Sequence, residues 1–154
     1  MAQTRLYEFN VGIEASTQPD PGTPTLANDL VTKSYADSLI GGAGGFTVEN
    51  SFASPYAVVA GTSIPFVAGT KRIKKYIQGS GGAVTLTANP RIQAGTIDGQ
   101  ELMLIGCSDT NTVSIDDGNG TKKNGMDVMV SGSITVYNWD HGQSLWREVS
   151  RNNI

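Results

Sequence analysis

The pattern of apolar and polar positions divides the chain into three parts, and the first is a short alternating segment. Leu6, Phe9, Val11 and Ile13 are separated mainly by polar or small residues. This period of two predicts one extended strand within residues 1–15. Since the sequence next to it offers no hairpin partner, we expect a free strand edge that pairs with another chain.

A proline-rich stretch and a helical pattern follow. Prolines at 19, 21 and 24 predict an extended, semi-rigid linker. Val31, Tyr35 and Leu39 then recur every fourth residue and predict a short helix with a narrow apolar stripe. The glycines of residues 41–45 end this helix and form a hinge. A stripe so narrow is marginal in water, so the helix must pack on the head or on symmetry-related copies.

From Phe46 onward the pattern predicts short strands separated by glycine-rich turns. The predicted strands are residues 47–52, 56–60, 63–67, 72–78, 83–87, 101–105, 112–115, 126–130, 133–137 and 145–149. Alternation in residues 84–87 and 134–137 predicts strands with one solvated face, and the apolar run 102–105 predicts a central strand. This spacing is typical of a compact antiparallel β-sandwich or barrel-like head.

The predicted organisation is therefore mainly β. Residues 1–27 form a docking arm and linker, residues 28–45 a trimerising helix and hinge, and residues 46–154 the β-rich head. A threefold assembly would bury the helix stripe against its own copies, so we expect a trimer with Val31, Tyr35 and Leu39 at its interface.

Composition narrows the class of protein. The chain has 154 residues, of which 16% are charged and 38% hydrophobic, with a net charge of −3. Low charge disfavours disorder, and the negative balance disfavours a nucleic-acid partner. No apolar run reaches the roughly 20 residues of a membrane span, and the first residues lack a signal-peptide core, so we expect no membrane partner and synthesis in the cytoplasm.

Residue types that support catalysis or metal binding are sparse. The single histidine, His141, lies in a predicted turn, and the single cysteine, Cys107, in an apolar strand, where we expect a buried, inert thiol. No nucleophile motif accompanies the histidine. Oxygen-bearing side chains between residues 109 and 119 suit hairpin turns better than a calcium site: Asp109, Asn111, Asp116, Asp117 and Asn119. We expect no cofactor and no enzymatic activity.

Two further groups have a structural and a functional interpretation. The basic run 71–76 could track an anionic polymer, but as a strand it is better explained by edge-protecting lysines or by charges that meet an acidic partner. Trp139 and Trp146 could stack on the sugar rings of a glycan, but tryptophans beside a hairpin turn are more often core or interface residues.

Two stretches resemble bacteriophage virion proteins. Residues 26–40, LANDLVTKSYADSLI, resemble the "(D/A)LVTKxYVD" segment of phage fibre proteins, with Ala36 in place of the usual valine. The C-terminal half is similar to the terminal β region of fibre and head-decoration proteins. It shares a DGQ turn at residues 98–100, an LxLIG strand, an NTVxI strand and a closing WxEVSRN. Together the two stretches cover about half of the chain.

The resemblance implies a structural protein of a phage particle, made in the host cytoplasm and located in the virion. In such proteins an N-terminal arm grips the particle and the head trimerises. We therefore expect a homotrimeric capsid-decoration or head-fibre protein whose partners are its own copies and the major capsid protein or another virion protein. The docking residues are then Arg5, Leu6, Tyr7, Phe9 and Val11.

Three alternatives stay open. A tail fibre or tail adaptor belongs to the same broad class. A carbohydrate-binding module for host surface glycans would use Trp139 and Trp146. A glycan hydrolase would need paired carboxylates, for which Asp98 with Glu101 or Asp116 with Asp117 are available, although all four lie in or beside turns.

Overall fold

A computed structural model describes residues 45–153, which are all-β and contain no helix. Ten strands follow in order: β1 (Thr47–Glu49), β2 (Tyr56–Val58), β3 (Arg72–Gly79), β4 (Val84–Thr85), β5 (Glu101–Gly106), β6 (Val113–Ile115), β7 (Thr121–Lys122), β8 (Asp127–Met129), β9 (Ile134–Asp140) and β10 (Leu145–Asn152). The predicted arm, linker and helix lie outside the described residues, as do the predicted docking residues and the stripe residues Val31, Tyr35 and Leu39.

Most strand predictions are confirmed, since nine of the ten predicted regions contain a strand. Residues 63–67 contribute only an isolated bridge, in which Ile64 pairs with Ile92. The two-residue strand β7 was missed because it follows directly on the glycine-rich turn DDGNG and is too short to show alternation. The glycine-rich breaks between the predicted strands do lie between strands in the structure.

The strands form two sheets. The larger sheet has seven strands in the order β1-β3-β5-β9-β10-β7, and β2 also pairs with β3. The smaller sheet has the order β4-β6-β8. Strand β5 lies inside the larger sheet between β3 and β9, which confirms the central position predicted from its apolar run.

Successive segments of the chain pair at a nearly constant separation. Ile73 pairs with Leu102, Ile64 with Ile92, and Val84 with Val113, all in parallel. Hydrogen bonds between connecting segments join residues 27 apart, among them Phe66 N to Gln93 Oε1 and Thr87 Oγ1 to Ala60 O. Parallel pairing at this nearly constant separation suggests a solenoid-like coil of about 27–29 residues per turn.

The antiparallel prediction is wrong for most pairings. Among residues 45–153, five strand pairs are parallel and three are antiparallel, namely β5 with β9, β9 with β10 and β6 with β8. Alternation was a poor guide because it reports which face of a strand is buried and not the direction of its neighbour. Each of these antiparallel pairs includes β8 or β9, and β9 and β10 form a hairpin.

The basic run is not a sheet edge. Residues 72–79 alternate between half-buried and buried, as predicted for a strand, but β3 has neighbours on both sides. Lys75 points inward and pairs with Glu49, and Arg72 pairs with Glu101 of the next coil. Two of the three charges of this strand thus meet acidic groups of the same chain, and Lys74 lies over the Tyr76 ring.

Both tryptophans belong to the core, so neither ring face is available to a sugar. Trp146 is fully buried and Trp139 is 5% exposed. Their rings lie 5.3 Å apart, and Phe66 meets Trp146 edge-on at 5.6 Å. Trp146 Nε1 donates a hydrogen bond of 2.8 Å to Gln93 O, 53 residues earlier. The glycan-contact interpretation of these two residues is therefore corrected: burial makes them the link between the C-terminal hairpin and the preceding coils.

Gly95 leaves the space that Trp139 fills. A Cβ atom at this position would overlap the indole ring. We predict that Gly95→Ala lowers the free energy of unfolding by about 1–3 kcal/mol, because the ring or the backbone must move to relieve the overlap. Denaturant unfolding followed by tryptophan fluorescence measures the change.

Gly61→Ala is the matched control, since a Cβ at Gly61 meets nothing within 4 Å. We expect it to change stability by less than about 1 kcal/mol. If the two substitutions changed the free energy of unfolding equally, packing against Trp139 would not be the reason for glycine at position 95.

Candidate functional site

The densest group of titratable side chains in the described head is buried and lies beside the C-terminal hairpin. We call it the Lys123 cluster, and its members are Lys123, Asp127, Thr135, Tyr137, Glu148 and Arg151. The side chains of Lys123 and Asp127 are fully buried, and those of Glu148 and Arg151 are 13% and 18% exposed. Burial of four charged groups together requires that they satisfy one another.

Lys123 Nζ is the centre of this cluster. It donates to Tyr137 Oη at 2.9 Å and lies 3.4 Å from Asp127 Oδ2 and 3.3 Å from Glu148 Oε2. Three acceptors around an ammonium group match its three donors. The lysine thus joins the turn after β7 to strands β8, β9 and β10.

Arg151 closes the other side of the cluster. Its guanidinium forms two hydrogen bonds with the Glu148 carboxylate, at 3.1 and 2.8 Å, and Nε lies 3.9 Å from Asp127 Oδ1. It also donates to the backbone oxygens of Asn124 and Met126. Two cations and two anions therefore share one buried volume, and the bidentate geometry fixes their positions.

Local sequence explains how these groups meet. Asp127 lies four residues after Lys123, across the turn KNGM that separates β7 from β8. Alternation in β9 turns Thr135 and Tyr137 inward, where the Thr135 hydroxyl donates to Asp127 Oδ2. A bulge between Glu148 and Ser150 shifts the register of β10, and Glu148 and Arg151, three residues apart, both reach the cluster.

Burial shifts the pKa values of Lys123 and Tyr137 in opposite directions. Loss of solvation lowers the pKa of Lys123, although Asp127 and Glu148 oppose this effect. Burial raises the pKa of Tyr137 well above its usual value, and the neighbouring carboxylates raise it further. The salt bridge and hydrogen bond to Glu148 raise the pKa of Arg151. The phenol therefore stays neutral and the arginine charged.

A second buried ion pair occupies the opposite edge of the larger sheet. Lys75 Nζ lies 2.8 Å from Glu49 Oε2, with side-chain exposures of 5% and 11%, and 4.8 Å from the centre of the Tyr56 ring. Glu49 Oε1 also accepts a hydrogen bond from Val67 N at 2.6 Å. One carboxylate thus ties the first strand to β3 and to the connecting segment that precedes β3.

The side chains that the sequence offered for catalysis or metal binding lie in or beside turns. His141 is exposed in the turn between β9 and β10, as predicted, and its backbone N–H donates to Asp98 Oδ1. Cys107 is only half-buried, which corrects the expected full burial, and desolvation raises its thiol pKa. Hydrogen bonds to backbone and lysine lower the pKa of Asp117, which accepts from Lys123 N and Lys122 Nζ.

The side-chain oxygens of residues 109–119 do not point toward one common site. Asp109 accepts from Ser131 N, Asp116 from Asp117 N, and Asn119 donates to Ala88 O. Within residues 45–153 no three or more His, Cys, Asp or Glu side chains are grouped so that they could hold a metal ion. The carboxylates considered for glycan hydrolysis also have partners within the chain. Glu101, for example, forms an ion pair with Arg72.

Sequence reasoning missed the Lys123 cluster. No sequence pattern singles out residues 121–125, and nothing local distinguishes Lys123 from the exposed Lys122 beside it. The available signal is indirect: in β9 a threonine and a tyrosine occupy the inward positions, and buried hydroxyl groups require polar partners.

Comparisons with family models, with curated proteins and with solved structures gave no match to this chain. Over residues 45–153 the structure contains no helix with the length and apolar character of a membrane span.

The two adjacent lysines allow a direct test of the cluster. We predict that Lys123→Met lowers the free energy of unfolding by about 3–5 kcal/mol, because Asp127 and Glu148 lose a buried counter-ion. Lys122→Met is the control: its side chain is 59% exposed and paired with Asp117, so the loss should not exceed about 1 kcal/mol. Urea unfolding measures both, and equal losses would contradict the assigned role of Lys123.

Proposed function

We propose that this chain is a structural protein of a bacteriophage particle, a homotrimeric capsid-decoration or head-fibre protein without catalytic activity. The observation that carries the proposal is the resemblance of residues 26–40 to the segment that precedes trimeric β regions in phage fibre proteins. In this chain the segment is likewise followed, after the glycine-rich residues 41–45, by a region whose regular elements in residues 45–153 are all strands. We expect the protein in the virion, after synthesis in the host cytoplasm.

The structure of the head supports a mechanical function. Several of its charged groups form internal ion pairs that hold strands together, including Lys75 with Glu49 and Lys123 with Asp127 and Glu148. Its tryptophans fill the core. Side chains used in this way position the strands of the head, which is what a structural function requires.

For the finer architecture we propose a solenoid-like head rather than a sandwich or barrel. The parallel pairs and the 27-residue separations support coils that stack along one axis. The β9–β10 hairpin then closes the C-terminal end of the stack, and three such heads assemble around a common axis.

A tail fibre or tail adaptor is the second candidate, because the same resemblance covers those proteins. The C-terminal half also resembles head-decoration proteins, and we favour the head of the particle, with the major capsid protein as the partner of residues 1–27. A glycan-binding function would need groups other than Trp139 and Trp146, which are buried.

Phe9→Asp tests the docking arm in the full chain. We predict that it weakens binding to empty capsids by about thirtyfold or more, since a central aromatic contact is worth about 2 kcal/mol, while the mass in solution stays that of a trimer. Asn10→Asp adds the same charge at the alternate position and should bind normally. Co-sedimentation with capsids and light scattering give the two readouts. A Phe9→Asp trimer that still decorates capsids would show that the arm is misassigned.

A further inference from the structure

The chain contains two Asn-Gly dipeptides, Asn119–Gly120 directly before β7 and Asn124–Gly125 shortly after it. Such a dipeptide can modify itself. The glycine peptide nitrogen gives its proton to solvent and attacks the side-chain carbonyl carbon of asparagine. The side-chain amide leaves as ammonia, and water opens the resulting succinimide to aspartate or isoaspartate. Glycine permits the attack because no side chain shields its nitrogen, so the surrounding structure decides which dipeptide reacts.

The folded head holds Asn119 in place through both its side chain and its backbone. Its Nδ2 donates a hydrogen bond of 3.3 Å to Ala88 O, and its backbone oxygen accepts one of 2.9 Å from Arg91 N. The backbone oxygen of Gly120 accepts a further bond of 2.8 Å from Trp146 N. Ring closure must rotate both the side chain and the peptide group of the asparagine, so these bonds have to break first. The fold therefore protects this dipeptide.

The side chain of Asn124 has no such restraint. Asn124 and Gly125 are both exposed, and within residues 45–153 the Asn124 side chain has no hydrogen-bond partner. A Cβ atom at Gly125 would meet nothing within 4 Å, so the space around its α-carbon is open. The asparagine side chain can therefore turn toward the glycine nitrogen without losing a contact.

Arg151 makes the Asn124–Gly125 peptide group more reactive. Its Nη2 donates a hydrogen bond of 3.2 Å to the backbone oxygen of Asn124. That oxygen belongs to the same peptide group as the attacking nitrogen of Gly125. A cationic donor on the oxygen stabilises the negative charge that the peptide group acquires when the nitrogen gives up its proton. The one contact that restrains this peptide group thus also favours the reaction.

The product acts on the Lys123 cluster, because the turn joins two of its members. Lys123 Nζ and Asp127 Oδ2 lie 3.4 Å apart, and both side chains are fully buried. Isoaspartate at position 124 carries the chain through its side-chain carbons and lengthens the backbone between these two residues by one methylene group. Because a buried ion pair needs close geometry to offset its desolvation, the added length weakens the cluster.

We propose that Asn124–Gly125 is a site of self-modification in the folded protein, at which asparagine becomes isoaspartate and weakens the Lys123 cluster as the protein ages. Asn119–Gly120 stays intact in the same molecule. The inference does not depend on the proposed structural function, because the reaction needs only the chain and water.

Incubation of the full chain in warm, mildly alkaline buffer tests the site. Peptide mapping by mass spectrometry measures the replacement of –NH2 by –OH at each dipeptide, and an isoaspartate-specific methyltransferase identifies the product. We expect conversion at Asn124 to be about tenfold or more faster than at Asn119, because the hydrogen bonds of Asn119 must break first. In the chain unfolded in urea the two rates should approach each other. Equal rates in the folded chain, or a rate ratio that unfolding leaves unchanged, would overturn the proposal.

Asn124→Gln is the matched variant for the effect on the cluster. Its longer side chain disfavours ring closure, and position 124 is exposed, so we expect the variant to fold and to keep its stability through the incubation. In the wild-type chain the equilibrium constant for unfolding, measured in urea, should rise by about tenfold or more once position 124 has become isoaspartate. A converted wild-type chain that unfolds at the same urea concentration as the fresh protein would overturn the link to the Lys123 cluster.

Discussion

Backbone pairing between successive coils is the constraint on which the rest of the head depends. Each parallel pair fixes the number of residues between one strand and the next, and the side-chain hydrogen bonds that join residues 27 apart follow from it. A one-residue slip in the pairing of a strand would turn its side chains to the wrong face. Gly95 shows how little freedom remains, because Trp139 occupies the space of its missing side chain.

A stack of coils must also protect its ends. The edge strands β1 and β7 of the larger sheet each have a buried lysine nearby, Lys75 paired with Glu49 and Lys123 in its cluster. Inward-pointing charges at an edge disfavour pairing with further strands, because an added strand would have to accommodate or expose them. Such buried pairs add specificity more reliably than net stability.

Much of the head was predictable from sequence, because turns and buried faces leave local signals. Glycine clusters located the breaks, and alternation located most strands, including the central β5. Strand direction and the Lys123 cluster were not predictable, since both depend on residues brought together from distant coils. Lys122 and Lys123 are identical in type and neighbours in sequence, yet only the second is buried.

The proposed structural function assigns the β head to the surface of the particle and residues 1–27 to attachment. The location of the protein tests this account most directly. Gold-labelled antibodies against residues 46–154, applied to purified phage particles of the source, should label the capsid surface. Particles that lack the protein altogether would contradict the structural function, and label confined to the tail would contradict the assignment to the head.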